Sequence, residues 1–125
     1  MIYEKISGQI IGAAMNVLNA LKPGLDEKLY ENVLVIELRE RGHQVEQQRS
    51  FPVQYKGILI GKLIPDLIVD GKIVVDPKVA STFCDSHIAQ MIGYLAITGL
   101  PLALLLNFKS SKLDWKRVVC APELD

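Results

Sequence analysis

Apolar residues recur at Ile6, Ile10, Ala13, Ala14, Val17, Leu18 and Leu21, and this spacing of three and four predicts an amphipathic helix over 6–21. Lys22-Pro23-Gly24 ends it, because proline lacks a donor for another turn and glycine accepts a left-handed conformation. Asp26 reads as the cap of a second helix that runs to Arg41 and stops at Gly42. Its Glu27, Tyr30, Glu31 and Leu34 share one face. Beyond Gly42 the period falls to two. Val45, Gln47 and Arg49, then Phe51, Val53 and Tyr55, read as one or two strand segments broken near Pro52. Lys56-Gly57 is a turn, and residues 58–69 read as the next strand. Asp70-Gly71-Lys72, between Leu67-Ile68-Val69 and Ile73-Val74-Val75, signals a hairpin and starts a third strand over 72–79. Residues 85–98 return to helical phase through Ile88, Met91, Ile92 and Leu95, ending at Gly99. The unbroken run from Leu102 to Phe108 predicts a strand buried on both faces, and a short strand follows over 115–120. The order of helices and strands is that of an α/β or α+β layer fold.

Composition narrows the class. Half of the 125 residues are apolar and 22% are charged, which excludes intrinsic disorder and fits one domain spanning residues 1–125. The apolar stretch Leu100 to Leu106 is too short to cross a bilayer, and Met1 to Lys5 do not resemble the start of a secretory signal. Two cysteines, Cys84 and Cys120, form no disulfide framework and suit a reducing compartment, so the expected setting is the cytoplasm. The 14 basic and 14 acidic residues are unevenly spread: residues 1–55 carry 6 basic and 7 acidic, residues 56–117 carry 8 and 5. A binder held to nucleic acid by charge alone shows a larger excess.

The sharpest chemical feature is Pro65-Asp66 followed, after nine residues, by Asp76-Pro77-Lys78. A three-residue loop at Asp70-Gly71-Lys72 pairs Val69 with Ile73 and sets Asp66 opposite Asp76, with Lys78 on the same face. A two-residue Asp-Gly loop instead sets Asp66 opposite Val75 and turns Asp76 away. The register therefore decides the chemistry, and the three-residue loop is favoured. Carboxylates whose Cβ atoms lie ~4.5–5.5 Å apart repel unless a proton or a cation comes between them. Oxygen donors of this kind suit Mg²⁺ or Mn²⁺, which polarises a phosphoryl oxygen and acidifies water. A solvated strand face is the plain alternative. Against it stands the apolar setting of Leu63-Ile64 and Ile73-Val74-Val75, where a charge needs a reason. Other chemistries are poorly supplied. Cys84, His87 and Cys120 are too few for structural zinc, two histidines give no serine-nucleophile arrangement, and no phosphate-cradling glycine loop is present.

Asp66…Asp76-x-Lys78 within an αβββαβ order resembles the PD-(D/E)XK nuclease superfamily, and Gly24-x-x-Glu27-x-x-Tyr30 resembles its GxxExxY branch. Tyr55-Lys56-Gly57, Asp70-Gly71-Lys72 and His87-x-x-Gln90-x-x-x-Tyr94-Leu95 before Thr98-Gly99 extend the likeness over residues 7–119. The resemblance implies a restriction-endonuclease-like core, a central mixed sheet flanked by helices. It implies Asp66, Asp76 and Glu27 as Mg²⁺ or Mn²⁺ ligands, with the Pro77 carbonyl as a further one. Lys78 would be the catalytic lysine, acting with Asp66, Asp76 and Glu27, while Gln90 and Tyr94 would position substrate as in recombination-type exonucleases. Family members usually carry Glu at the position of Asp76 and Leu or Ile at that of Pro77. The implied activity is metal-dependent hydrolysis of DNA phosphodiester bonds, exonuclease-like. The alternative is a degenerate nuclease fold that binds nucleic acid or a protein without turnover. A domain this small seldom surrounds a duplex alone, which points to a homodimer or a larger partner. The plain readings are a helix-terminal carboxylate for Glu27 and a core aromatic with a bonded hydroxyl for Tyr94.

Overall fold

The computed structural model describes residues 1–120. Helices α1 (Glu4–Leu21) and α2 (Glu27–Glu40) lead into β1 (Val45–Gln47), β2 (Phe51–Tyr55), β3 (Ile58–Leu63), β4 (Leu67–Val69) and β5 (Ile73–Lys78). Helix α3 (Asp85–Thr98), β6 (Leu102–Asn107) and β7 (Asp114–Val119) follow. Five strands form one sheet in the order β1-β4-β5-β6-β7, antiparallel except for the parallel pair β5 and β6. That parallel pair needs a crossover, which α3 supplies.

Alternation along the central strands divides the core between the two sheet faces. Val75, Ile73, Leu102, Leu104 and Leu106 pack with Ile10, Val17, Tyr30 and Leu34 of α1 and α2. Val74, Ala103 and Leu105 pack instead with Met91 and Leu95 of α3. β6 is buried along its whole length, as its unbroken hydrophobicity predicts. The result is the mixed sheet between helices that the sequence implied. Among the described residues no helix is long and apolar enough to cross a membrane.

Two expected boundaries are wrong. The stretch 58–69 is not a single strand: Ile64-Pro65-Asp66 separates β3 from β4, because proline cannot donate to a ladder there. The first strand region breaks at Gln48–Ser50 rather than near Pro52, which lies within β2 opposite Lys62. β2 and β3 thus leave the main sheet and pair only with each other as a two-stranded ribbon. Proline is tolerated in such a strand because a neighbour is lacking on one side.

The decisive turn is the three-residue one. Val69 pairs with Ile73 and Leu67 with Val75, and Asp70 takes a left-handed conformation at φ 55. Asp70 is more than a turn residue. Its Oδ1 accepts the Gln44 N–H at 2.9 Å, its Oδ2 meets His43 Nδ1 at 2.7 Å, and its own N–H donates to the Gln44 carbonyl at 2.8 Å. These bonds tie the hairpin turn to the segment that enters β1. Asp70→Ala removes both carboxylate contacts and leaves an alanine in a left-handed conformation, so a loss of about 2 kcal/mol is expected in chemical denaturation. Asp70→Asn, which tolerates that conformation and keeps an acceptor, is expected to lose less.

Candidate active site

Continuing the β4–β5 register by one step places Asp66 opposite Asp76, and alternation brings Asp76 and Lys78 to the α3 face with Val74. Asp66 sits at the bend that starts β4 and Asp76 is 2% exposed in the middle of the sheet. The two carboxyl groups are near enough for each to alter the other's hold on a proton. Burial, and then the charge of Asp66, push Asp76 up to about 7 against the pull of Lys78. Burial, and then the charge of Glu31, also raise Asp66. The pair is therefore held in an expensive state. Asp76 Oδ1 is a buried acceptor without a hydrogen-bond partner among the described residues.

Lys78 Nζ stands 3.5 Å from that oxygen and donates to Gln90 Oε1 at 3.0 Å. Gln90 Nε2 in turn donates to the Tyr94 hydroxyl at 3.1 Å. The spacing of four residues on α3 thus does what the sequence suggested: both side chains face β5. Tyr94 is half-buried, and its hydroxyl is raised above its usual range by burial and by the charge of Asp76. α3 begins with a reciprocal cap, the Cys84 N–H donating to His87 Nδ1 at 3.2 Å, so His87 serves the helix that carries Gln90.

Pro77 is buried and comes after β4 has separated from β5, where β5 has only β6 as a neighbour. Its missing N–H is accommodated at that end of the strand. Asn107, at the end of β6, clamps the chain just beyond: it donates to the Ala80 carbonyl at 2.7 Å and accepts the Ala80 N–H at 3.2 Å.

Helix α2 brings Glu27 to the same end of β5. Asp26 occupies the cap position without a side-chain capping bond, so that part of the expected start signal is absent. Glu27 Oε1 accepts the Val79 N–H at 3.1 Å, and its charge is felt at Asp76. Its carboxylate is thus beside the aspartate pair but engaged with the backbone. Among the described residues no three His, Cys, Asp or Glu side chains gather around one point.

The roles of Gly24 and Tyr30 are structural. Gly24 adopts φ +109, a conformation that strains other residues. Tyr30 is fully buried, stacks on Phe108 at 4.8 Å, donates to the Lys22 carbonyl at 2.6 Å and accepts the Leu25 N–H at 3.1 Å. It staples the α1–α2 loop that aims Glu27. Tyr30→Phe strands both backbone groups, and a stability loss of about 2 kcal/mol is expected in a denaturant titration.

Two contributors were not identified as site residues from the sequence. Glu31, 3% exposed, accepts from Lys28 Nζ at 2.9 Å, Gln47 Nε2 at 2.7 Å and Gln48 Nε2 at 3.0 Å. Gln48 also reaches Asp66 Oδ1 at 3.3 Å, while its backbone N–H donates to the Asp66 carbonyl at 2.9 Å. The available signal was the four-residue offset from Glu27 to Glu31. Nothing in the alternating pattern marks Gln48, whose φ of 59 belongs to an irregular segment.

The aspartate pair, the Lys78 ammonium and the Gln90–Tyr94 pair thus gather toward one end of β5. The family model of the PD-(D/E)XK nuclease superfamily matches residues 4–118, and the chain belongs to that superfamily. Its structure is similar to that of an alkaline exonuclease from Laribacter hongkongensis, with a TM-score of 0.50 and 13% identity over 85% of this chain and 75% of that one. At that identity the likeness is one of fold. No curated protein matches the chain.

Proposed function

We propose that the protein is a metal-dependent phosphodiesterase acting on DNA, with Asp66, Asp76 and Lys78 as its catalytic centre. The observation that carries this reading is the buried Asp76 Oδ1, without a hydrogen-bond partner among the described residues, beside a second carboxylate and an ammonium. That donor set fits a hard divalent cation: Asp76, driven toward protonation by burial and Asp66, and Asp66, raised by burial and Glu31, gain most when a positive charge replaces the proton. Asp66 and Asp76 would hold Mg²⁺ or Mn²⁺, with Glu27 and the Pro77 carbonyl as further donors. Such an ion supplies Lewis-acid polarisation of a phosphoryl oxygen and water of lowered pKa.

The chain's own residues account for the rest. Lys78, held by Gln90, places its ammonium beside the aspartates, where it would stabilise the negative charge that builds on phosphorus. Gln90 and Tyr94 fix that ammonium and offer hydrogen-bonding groups to the substrate backbone. Glu27 orders the Val79 backbone and stands ready as an additional oxygen. The test is direct: purified protein is incubated with linear duplex, single-stranded and circular DNA in Mg²⁺, Mn²⁺ or EDTA. Cleavage in either cation and none in EDTA is expected, with linear substrates shortened from their ends. Binding without cleavage in both cations would overturn the enzymatic reading and leave a nuclease fold that only binds.

A further inference from the structure

The β2–β3 ribbon is largely exposed, yet it carries a cluster of large apolar side chains. Tyr55, Ile58, Leu59 and Ile60 are 62%, 69%, 64% and 66% exposed. Phe51, Val53 and Leu63 are half-buried at the root, where β2 lies against α3. The tip projects with Lys56 over the Tyr55 ring at 5.5 Å. Water alone does not favour such a ribbon, since isolated hairpins are marginal and exposed apolar strands invite a partner.

Its charge says which partner. Between Gln47 and Pro65 there are three basic residues, Arg49, Lys56 and Lys62, and no acidic one; elsewhere acids outnumber bases by 14 to 11. Arg49 is paired with Glu46 at 3.1 Å, whereas Lys56 and Lys62 are exposed without an ion pair among the described residues. Cationic and apolar character therefore coincide on one ribbon in a chain of zero net charge. The ribbon is also joined to the catalytic centre. Both its strands spring from the Gln48–Asp66 pair, whose backbone bond closes its base at 2.9 Å. With a β2 strand of five residues it reaches about 17 Å from that base.

We infer that the β2–β3 ribbon is a DNA-gripping arm that lies in the major groove of a B-form duplex presented to Asp66 and Asp76. The major groove of B-DNA admits a two-stranded ribbon, and Lys56 and Lys62 meet the phosphates at its rims while Tyr55 and Ile58 contact base edges. The deep, narrow major groove of an RNA duplex does not admit it. The assignment rests on the nuclease reading above and adds to it the form of the substrate. It also answers the mild charge objection, because the positive charge is concentrated rather than abundant.

The test measures binding rather than cleavage. Affinity for a short fluorescent DNA duplex and its RNA counterpart is read by anisotropy across a salt series, with Ca²⁺ present and duplex integrity checked by gel. Parent protein is compared with Lys56→Ala/Lys62→Ala and with Tyr55→Ser/Ile58→Ser, each checked for an unchanged melting temperature. The double lysine variant is expected to lose about tenfold or more in DNA affinity, with a salt slope shallower by about two. The second variant is expected to bind more weakly without a change of slope, and RNA binding of the parent to be weaker than DNA binding. Equal affinities in parent and both variants would overturn the arm, as would a parent that binds RNA duplex as well as DNA. So would a concentration-dependent dimer abolished by Tyr55→Ser/Ile58→Ser, which would make the ribbon a contact between copies. An arm that fails while cation-dependent cleavage persists leaves the catalytic assignment standing; cleavage that fails while ribbon-dependent binding persists does the reverse.

Discussion

Asp76→Ala and Lys78→Ala are each expected to lower cation-dependent DNA cleavage by roughly 10²–10³-fold or more, with the chain still folded. In the proposed centre Asp76 is the main oxygen donor, and among the described residues its Oδ1 has no partner to replace what a cation would provide. Lys78 has its ammonium 3.5 Å from that atom and its alternative contact, Gln90, is neutral, so among the described residues no other ion pair supplies the charge at that point. Lys78→Arg separates charge from geometry. It keeps the positive charge but replaces a compact ammonium with a planar fork, and a partial loss is expected. Gln90→Ala is expected to cost less than Lys78→Ala, since it loosens the ammonium without removing it. Circular dichroism and melting temperature distinguish loss of chemistry from loss of fold. Cleavage at parental rate by both alanine variants would mean that the centre lies elsewhere.

The second large effect is on stability. In the folded chain Asp76 is pushed up to about 7 by burial and by Asp66, against an ordinary value of 3.8. Between those pH values the folded chain holds a proton that the unfolded chain has released. Stability from this group is complete below the unfolded value and is lost as pH rises through about 7. Three units correspond to a few kcal/mol, and Asp66 shifts in the same direction. Cation-free protein is thus expected to melt several degrees lower at pH 8 than at pH 5. Asp76→Asn, neutral throughout, is expected to flatten that dependence and to melt above the parent at pH 8. Mn²⁺ at pH 8 is expected to raise the melting temperature of the parent by mass action, and that of Asp76→Asn much less. Parallel pH profiles for the two proteins would contradict the account of the pair.

Much of this site is legible in the sequence because local physics sets it. The Asp70-Gly71-Lys72 turn, the alternation of Asp76 and Lys78, and the four-residue spacing of Gln90 and Tyr94 each follow from short-range geometry. The three-residue turn is also held by contacts 26 and 27 residues away, from Gln44 and His43 to Asp70, which no local pattern reveals. The same limit explains the missed break in 58–69. Alternation continues through Ile64-Pro65, and only the departure of β2 and β3 into their own ribbon shows that one apolar run serves two sheets. Glu31 and Gln48 escaped notice for a related reason. A buried glutamate surrounded by donors and a left-handed glutamine acquire meaning only when α2, the β1–β2 link and Asp66 are folded together. The sequence marked the groups proposed to do chemistry, and the fold supplied those that hold them in place.

A crystal grown or soaked at saturating Mn²⁺, with anomalous scattering recorded, tests the central claim most directly. The account predicts one strong anomalous peak between Asp66 and Asp76, with an oxygen from each at about 2.0–2.2 Å and Lys78 beside it but not ligated. An aspartate pair with no ion between its carboxyl groups at saturating Mn²⁺ and pH 8 would contradict it.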